Sequence, residues 1–196
     1  MTKPNLFFPT PVWTFQLDDY KTINDEIYNF IKKEQIKDEK GIRKSNVNGW
    51  HSKDFDLKKD EPKNFINFIS PSIEKVMTDM NWEKEKKSVK IINMWTIINI
   101  GGSKNLRHQH GNSTISGAYY VKAPQNCGDI IFYDPRPAPV FYYPTTRSAN
   151  FLNAQTHGIN PKEGALILFP SYLDHSVNEN LSNNERIVIS FNISIQ

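Results

Sequence analysis

Asn105 to Lys122 reads NLRHQHGNSTISGAYYVK, and the remainder of the chain is best interpreted around it. Two of the five histidines, His108 and His110, stand one residue apart, ahead of an alternating run from Ser116 to Val121. In a β-strand, residues i and i+2 point to the same face. An H-x-H pair on a strand therefore aims two imidazoles at one point, which a helix cannot do at that spacing. Two converging imidazoles suggest a transition metal, and imidazole accepts iron, zinc, copper or nickel alike. His175, closing a later strand pattern, is the expected third ligand. His51, after Trp50 in a polar segment, is expected to be structural or to lie on the substrate side, and His157 to be exposed in a loop.

The flanking text is β-rich. Val89 to Ile100 (VKIINMWTIINI) is a β-branched run ended by Gly101-Gly102. Ser116 to Val121, Asp129 to Tyr133, Ala165 to Phe169 and Arg186 to Ile195 have the same character, with Trp95 and Phe132 as core residues. Pro135 to Pro161 is long, Pro-rich and aromatic, a functional or mobile loop with room for a strand inside it.

The N-terminal part differs. Leu6 to Leu17 (LFFPTPVWTFQL) has two prolines and reads as an edge strand or extended arm. Asp18 or Asp19 is placed to cap a helix in which Ile23, Ile27, Phe30 and Ile31 share one face. Lys37 to Lys63 is polar and irregular. Asn64 to Met80 carries Phe65, Ile69, Ile73 and Met77 four apart, a second helix expected to kink or break at Pro71. Helices first and turn-marked strands afterwards predict an antiparallel barrel or sandwich with helices packed outside. A single domain over 1–196 follows, with 1–87 as arm and supporting helices and 88–196 as the β core.

Composition narrows the classes. A net charge of +3 with no dense Lys/Arg stripe gives no footprint for nucleic acid. The lysine clusters at 32–33 and 84–87 sit among acidic residues and read as solvated faces. No run approaches a membrane span, and the N-terminus lacks the apolar region of a signal peptide. Cys127 is alone, which excludes a disulfide framework and makes the cytoplasm the expected compartment.

Arg186 opens the last strand eleven positions after His175, with Ser190 and Asn192 on its face. A guanidinium facing the inside of a barrel is costly unless it meets an anion, and its fork matches a carboxylate. A buried ion pair with Asp or Glu is the alternative use.

In order, H-x-H, SGAYYVKAP, GDIIFYDPR, EGALILFPSYLDHSVNEN and RIVISFNI resemble the 2-oxoglutarate/Fe(II)-dependent oxygenases of bacteria and phages. LFFPTPVW and GWHS add to the likeness, so it spans nearly the whole chain. The resemblance implies a double-stranded β-helix (jelly-roll) core that is mainly β with N-terminal helices. It implies Fe(II), 2-oxoglutarate as cosubstrate and dioxygen. Carried over by position, His108 and His175 are metal ligands, Arg186 clamps the far carboxylate of 2-oxoglutarate, and Tyr120 with Ser190 lies beside it. His110 stands where the wider superfamily, prolyl hydroxylases included, has an acidic ligand. A three-histidine centre, a carboxylate from Asp134 or Asp174, and an altered or inactive site are the outcomes to separate.

The substrate is a small molecule or a peptidyl residue of unread identity. Two rivals stand beside this reading: a cupin-type metalloprotein that does not use 2-oxoglutarate, and a non-catalytic jelly-roll binding module with a vestigial site. The cupin motif needs a Glu shortly after His110, and Thr114 and Ile115 stand there instead.

Overall fold

The computed structural model describes residues 3–83, 88–136 and 144–196. The first elements are strand β1 (Trp13–Gln16), helix α1 (Tyr20–Lys37), strands β2 (Asn46–Val47) and β3 (Trp50–His51), and helix α2 (Asp60–Asp79). Strands β4 (Val89–Asn99), β5 (Lys104–His108), β6 (Ile115–Lys122) and β7 (Ile130–Tyr133) follow. The last are β8 (Thr156–Ile159), β9 (Ala165–Pro170), β10 (His175–Val177) and β11 (Arg186–Ile195). Every strand pair is antiparallel. Six strands form one sheet in the order β1-β9-β6-β11-β4-β3, and five form the other, β2-β5-β10-β7-β8.

Period-two alternation gives the six-stranded sheet two different faces. Tyr119 and Val121 of β6, Leu166 and Leu168 of β9, and Ile187, Ile189, Phe191 and Ile193 of β11 face the helices. There they meet Ile23, Ile27, Phe30 and Ile31 of α1 and Phe65, Ile69 and Ile73 of α2. The intervening residues Ala118, Tyr120, Ala165, Ile167, Phe169 and Val188 face inward, against Ile130 and Phe132 of β7. The alternating run of β6 is thus buried on both faces. Asn24 of α1 is buried, donating to the Val121 carbonyl at 2.9 Å and accepting from the Tyr119 hydroxyl at 2.6 Å. That lock assigns Tyr119 to the helix layer and leaves Tyr120 for the interior.

Several local expectations need correction. Helix α2 starts at Asp60 and continues through Pro71 without a break. Proline inside a helix costs roughly 3 kcal/mol. Five apolar residues of α2 (Phe65, Ile69, Ile73, Val76 and Met77) are buried, and full burial of each such side chain contributes roughly 1.5–3 kcal/mol, so packing wins. Asp19 holds the N-cap position of α1, but its backbone is left-handed (φ 52) and its side chain makes no capping bond. The segment read as irregular contributes β2 and β3, which extend both sheets; two residues are too few to show a period. The lysine-rich 84–87 segment and residues 137–143 of the Pro-rich loop lie outside the described residues, while β8 supplies a strand within that loop. Among the described residues no helix is long and apolar enough to cross a membrane.

Candidate metal centre

His108 is the last residue of β5 and His175 the first of β10, and the pairing of these strands sets the two directly opposite. His175 therefore opens its strand rather than closing one. His110 lies beyond the end of β5, so the same-face rule for a strand is not what brings it in. Its backbone N–H donates to the Ser171 carbonyl at 3.0 Å, folding the turn back against the end of β9. The ring centroids are 4.3 Å (His108–His175), 5.1 Å (His110–His175) and 5.2 Å (His108–His110) apart. One nitrogen from each ring lies within 4.8 Å of the others. Metal–imidazole bonds are about 2.0–2.1 Å for zinc, so donors on one ion lie up to about 4 Å apart. The cluster is close to that spacing.

Hydrogen bonds decide which nitrogen each ring presents. Nδ1 of His108 lies 2.7 Å from the Leu106 carbonyl, and Nδ1 of His175 lies 3.0 Å from the Leu173 carbonyl. A carbonyl only accepts, so both Nδ1 atoms carry the proton and Nε2 keeps its lone pair. Nδ1 of His110 meets Oδ1 of Asn192 at 2.6 Å and Oγ of Ser116 at 2.8 Å. Burial pushes all three imidazole pKa values down, to about 4 for His110 and about 3 for His175. Near neutral pH the rings are uncharged, the state a metal ligand requires.

The acidic candidates are engaged elsewhere. Asp174 Oδ2 accepts from Nε and Nη2 of Arg107 at 2.9 and 2.6 Å. Asp134 takes two bonds from the Arg136 guanidinium, at 2.9 and 2.8 Å, which hold its carboxyl below the usual range. Among the described residues no carboxylate joins the three histidines.

Arg186 lines the same cavity as the triad and is only 1% exposed. Its Nη1 donates to the carbonyls of Cys127, Gly128 (3.3 Å) and Asn178 (3.2 Å). Its Nε and Nη2 are buried with no hydrogen-bond partner among the described residues. Among the described residues no ion pair with Asp or Glu uses them, and two unmet charged donors are what a carboxylate would satisfy. Burial pulls the Arg186 pKa below its ordinary value, a cost that a bound anion removes. Tyr120 and Ser190 line the cavity as well, and burial pushes the Tyr120 phenol upward, keeping it a neutral donor.

Trp95, expected in the core, is instead a cavity wall. It stands edge-on to His110 at 5.6 Å, and its indole N–H is buried without a partner among the described residues. Its position opposite Ser190 gives it the parity of the site, a signal available once β4 and β11 are paired. His51 stacks on Trp95 at 5.8 Å and bonds the Ser52 carbonyl, outside the triad. His157 is exposed on β8, against Phe151. Asn192, Ser116 and Ser171 had no assigned role.

A family model described as "Putative 2OG-Fe(II) oxygenase" matches residues 93–192, a little over half the chain and the part that carries His108, His110, His175, Arg186, Tyr120 and Ser190. The chain belongs to this oxygenase family. No curated protein sequence matches it significantly. In fold, the oxygenase is similar to a Pseudomonas putida prolyl-4-hydroxylase (TM-score 0.65, 10% identity, 94% of this chain and 92% of that one). It is similar also to the viral collagen prolyl hydroxylase of Paramecium Bursaria Chlorella virus-1, solved as a 2OG complex (0.60, 16%, 93% and 94%). A third likeness is the epimerase SnoN in complex with Fe3+, alpha ketoglutarate and nogalamycin RO (0.67, 10%, 94% and 79%). The family's cofactors are Fe(II) and 2-oxoglutarate, and the donor set fits them: three neutral imidazoles for the metal and an unsatisfied buried guanidinium for the carboxylate.

Proposed function

We propose that this oxygenase couples decarboxylation of 2-oxoglutarate to hydroxylation of a small-molecule or peptidyl substrate, with His108, His110 and His175 holding the iron. The observation that carries the reading is Arg186, whose two unpartnered donors are buried in the cavity lined by the three histidines. A cupin-type metalloprotein that makes no use of 2-oxoglutarate leaves those donors without a purpose. Strand order supports a double-stranded β-helix over residues 88–196, with β9-β6-β11-β4 facing β5-β10-β7-β8. The N-terminal helices and β1–β3 complete one domain, since they pack on or extend these sheets. The lone buried Cys127 agrees with a reducing cytoplasmic setting, where ferrous iron persists.

With iron and dioxygen, 2-oxoglutarate becomes succinate and carbon dioxide, one oxygen atom enters succinate and the other enters a substrate C–H bond. The chain's own residues prepare this. Arg186 and Tyr120 anchor the distal carboxylate, and Ser190 lies on the same inward face of β11. The three Nδ1–H bonds keep the imidazoles turned toward one point. Ile97, Ile130, Phe169, Val177 and Val188 make the cavity walls apolar, which strengthens the carboxylate–guanidinium pairing by excluding water.

The test is anaerobic: Fe(II) is added to apoprotein, then 2-oxoglutarate, and the visible charge-transfer band of a chelated keto acid is recorded. The band is expected for the wild type, with a much weaker apparent affinity for 2-oxoglutarate in Arg186→Ala. No band, with no loss of affinity in the variant, sinks the oxygenase reading.

A further inference from the structure

Two of the three histidines are oriented by backbone carbonyls, those of Leu106 and Leu173, which no side-chain change removes. The third is different. His110 lies off the strand and its Nδ1 meets side chains, Asn192 Oδ1 at 2.6 Å and, farther off, Ser116 Oγ at 2.8 Å. Asn192 belongs to a buried polar group set between the strands. Ser116 stands directly opposite it in the β6–β11 pairing and donates to Asn192 Oδ1 at 2.7 Å. Ser171 Oγ lies 2.9 Å from Ser116 Oγ, and the Ser171 carbonyl receives the His110 backbone N–H. Ser116 is 0% exposed, Ser171 1% and Asn192 6%, so water does not readily replace these bonds. Buried polar groups at such a position cost stability unless they are satisfied. Here they are satisfied by one another and by His110.

We propose that Asn192, braced by Ser116 and Ser171, is the positioning residue that makes His110 a metal ligand. The inference rests on the reading of the triad as the iron site and adds the means by which an imidazole serves where the resemblance places a carboxylate. An Asp at position 110 would arrive already charged and with two equivalent oxygens, so its orientation would matter little. An imidazole must present the correct nitrogen. The amide oxygen of Asn192 accepts, which fixes the proton on Nδ1 and leaves the Nε2 lone pair to the metal. The neutral Asn also leaves the centre more positive than a carboxylate partner would, since no charge enters from the group behind the ring.

The test uses Co(II) titrated into full-length apoprotein, following its ligand-field bands and affinity at constant pH. Wild type is expected to bind one equivalent, and His110→Ala to bind weakly with altered bands. Asn192→Ala is expected to lose about 10- to 100-fold in affinity, the range for removing such a partner of a ligating histidine. Asn192→Asp is expected to bind at least as tightly as wild type, because its carboxylate accepts from Nδ1–H, and to shift the bands as the ligand becomes a stronger donor. Circular dichroism of each apoprotein separates loss of fold from loss of the ligand. If Asn192→Ala binds like wild type while His110→Ala does not, the positioning role falls and the triad stands. If Asn192→Asp is as weak as Asn192→Ala, the amide faces His110 with its NH2, and the proposal is overturned. If wild type binds no Co(II) at all, the triad reading falls and takes the proposal with it.

Discussion

Gly128 passes so close to Asn178 that a Cβ added to it would lie 2.4 Å from the Asn178 carbonyl oxygen. Both residues offer their carbonyls to Nη1 of Arg186, so the close approach is what builds the cradle behind the guanidinium. Gly128 also has φ +90, a region that side chains rarely adopt. Gly128→Ala is therefore expected to destabilise the fold, by about 1–3 kcal/mol from backbone strain alone. It should weaken 2-oxoglutarate binding at the same time. Denaturant unfolding and a cosubstrate titration measure the two effects; a variant with unchanged stability would show that the approach is not tight.

Arg186→Met removes both unpartnered donors while keeping most of the side-chain volume. Losing one member of a buried charged pair costs about 2–5 kcal/mol in binding. In the wild type, 2-oxoglutarate with a redox-inert metal should raise the melting temperature by mass action. That shift should vanish in the variant, while the shift from metal alone persists. Equal cosubstrate shifts in both proteins would remove Arg186 from the clamp.

The triad gives a signed pH dependence. Its imidazoles are held neutral by burial, His110 at about 4 and His175 at about 3 against 6.5 for the free side chain. As pH falls below about 6.5 the unfolded chain binds protons that the folded chain refuses, so stability drops. The loss continues until pH passes the folded values. Apoprotein stability should decline from pH 7 to about pH 5, and His175→Asn should flatten part of that slope. A flat profile in the wild type would contradict the burial of the rings.

Gly117 lies on β6, where an added Cβ would sit 2.2 Å from the Phe191 ring. Phe191 belongs to the helix-facing core, packed against Phe65. Gly117→Ala should cost about 1–3 kcal/mol through overpacking. Phe191→Leu in the same chain is expected to recover part of this, read as a non-additive pair in thermal unfolding.

Much of this arrangement is visible in the letters, because strands that carry a site repeat every two residues. Arg186, Ser190 and Asn192 share parity on β11, and Tyr120 separates from Tyr119 by one step. His108 stands at the end of a strand, whereas His175 begins β10 instead of closing the pattern before it. Other features depend on contacts distant in sequence. His110 reaches the triad through a turn held by Ser171, which spacing alone does not reveal. Pro71 is a helix breaker by local chemistry and is overruled by burial of the residues around it. The partner of the His110 ring is 82 positions away, on a strand whose register with β6 has to be known first.

Strand β11 lies between β6 and β4, at the centre of the six-stranded sheet, yet among the described strands it comes last in chain order. During synthesis all three histidines leave the ribosome before Arg186 and Asn192 do. Until β11 inserts, β6 and β4 have no shared neighbour, and the clamp and the His110 partner are both missing. Pairings between strands so far apart form slowly. The cavity that holds Arg186 and the His110 partner is therefore complete only once β11 has inserted between β6 and β4, so its assembly depends on strand pairings distant in sequence.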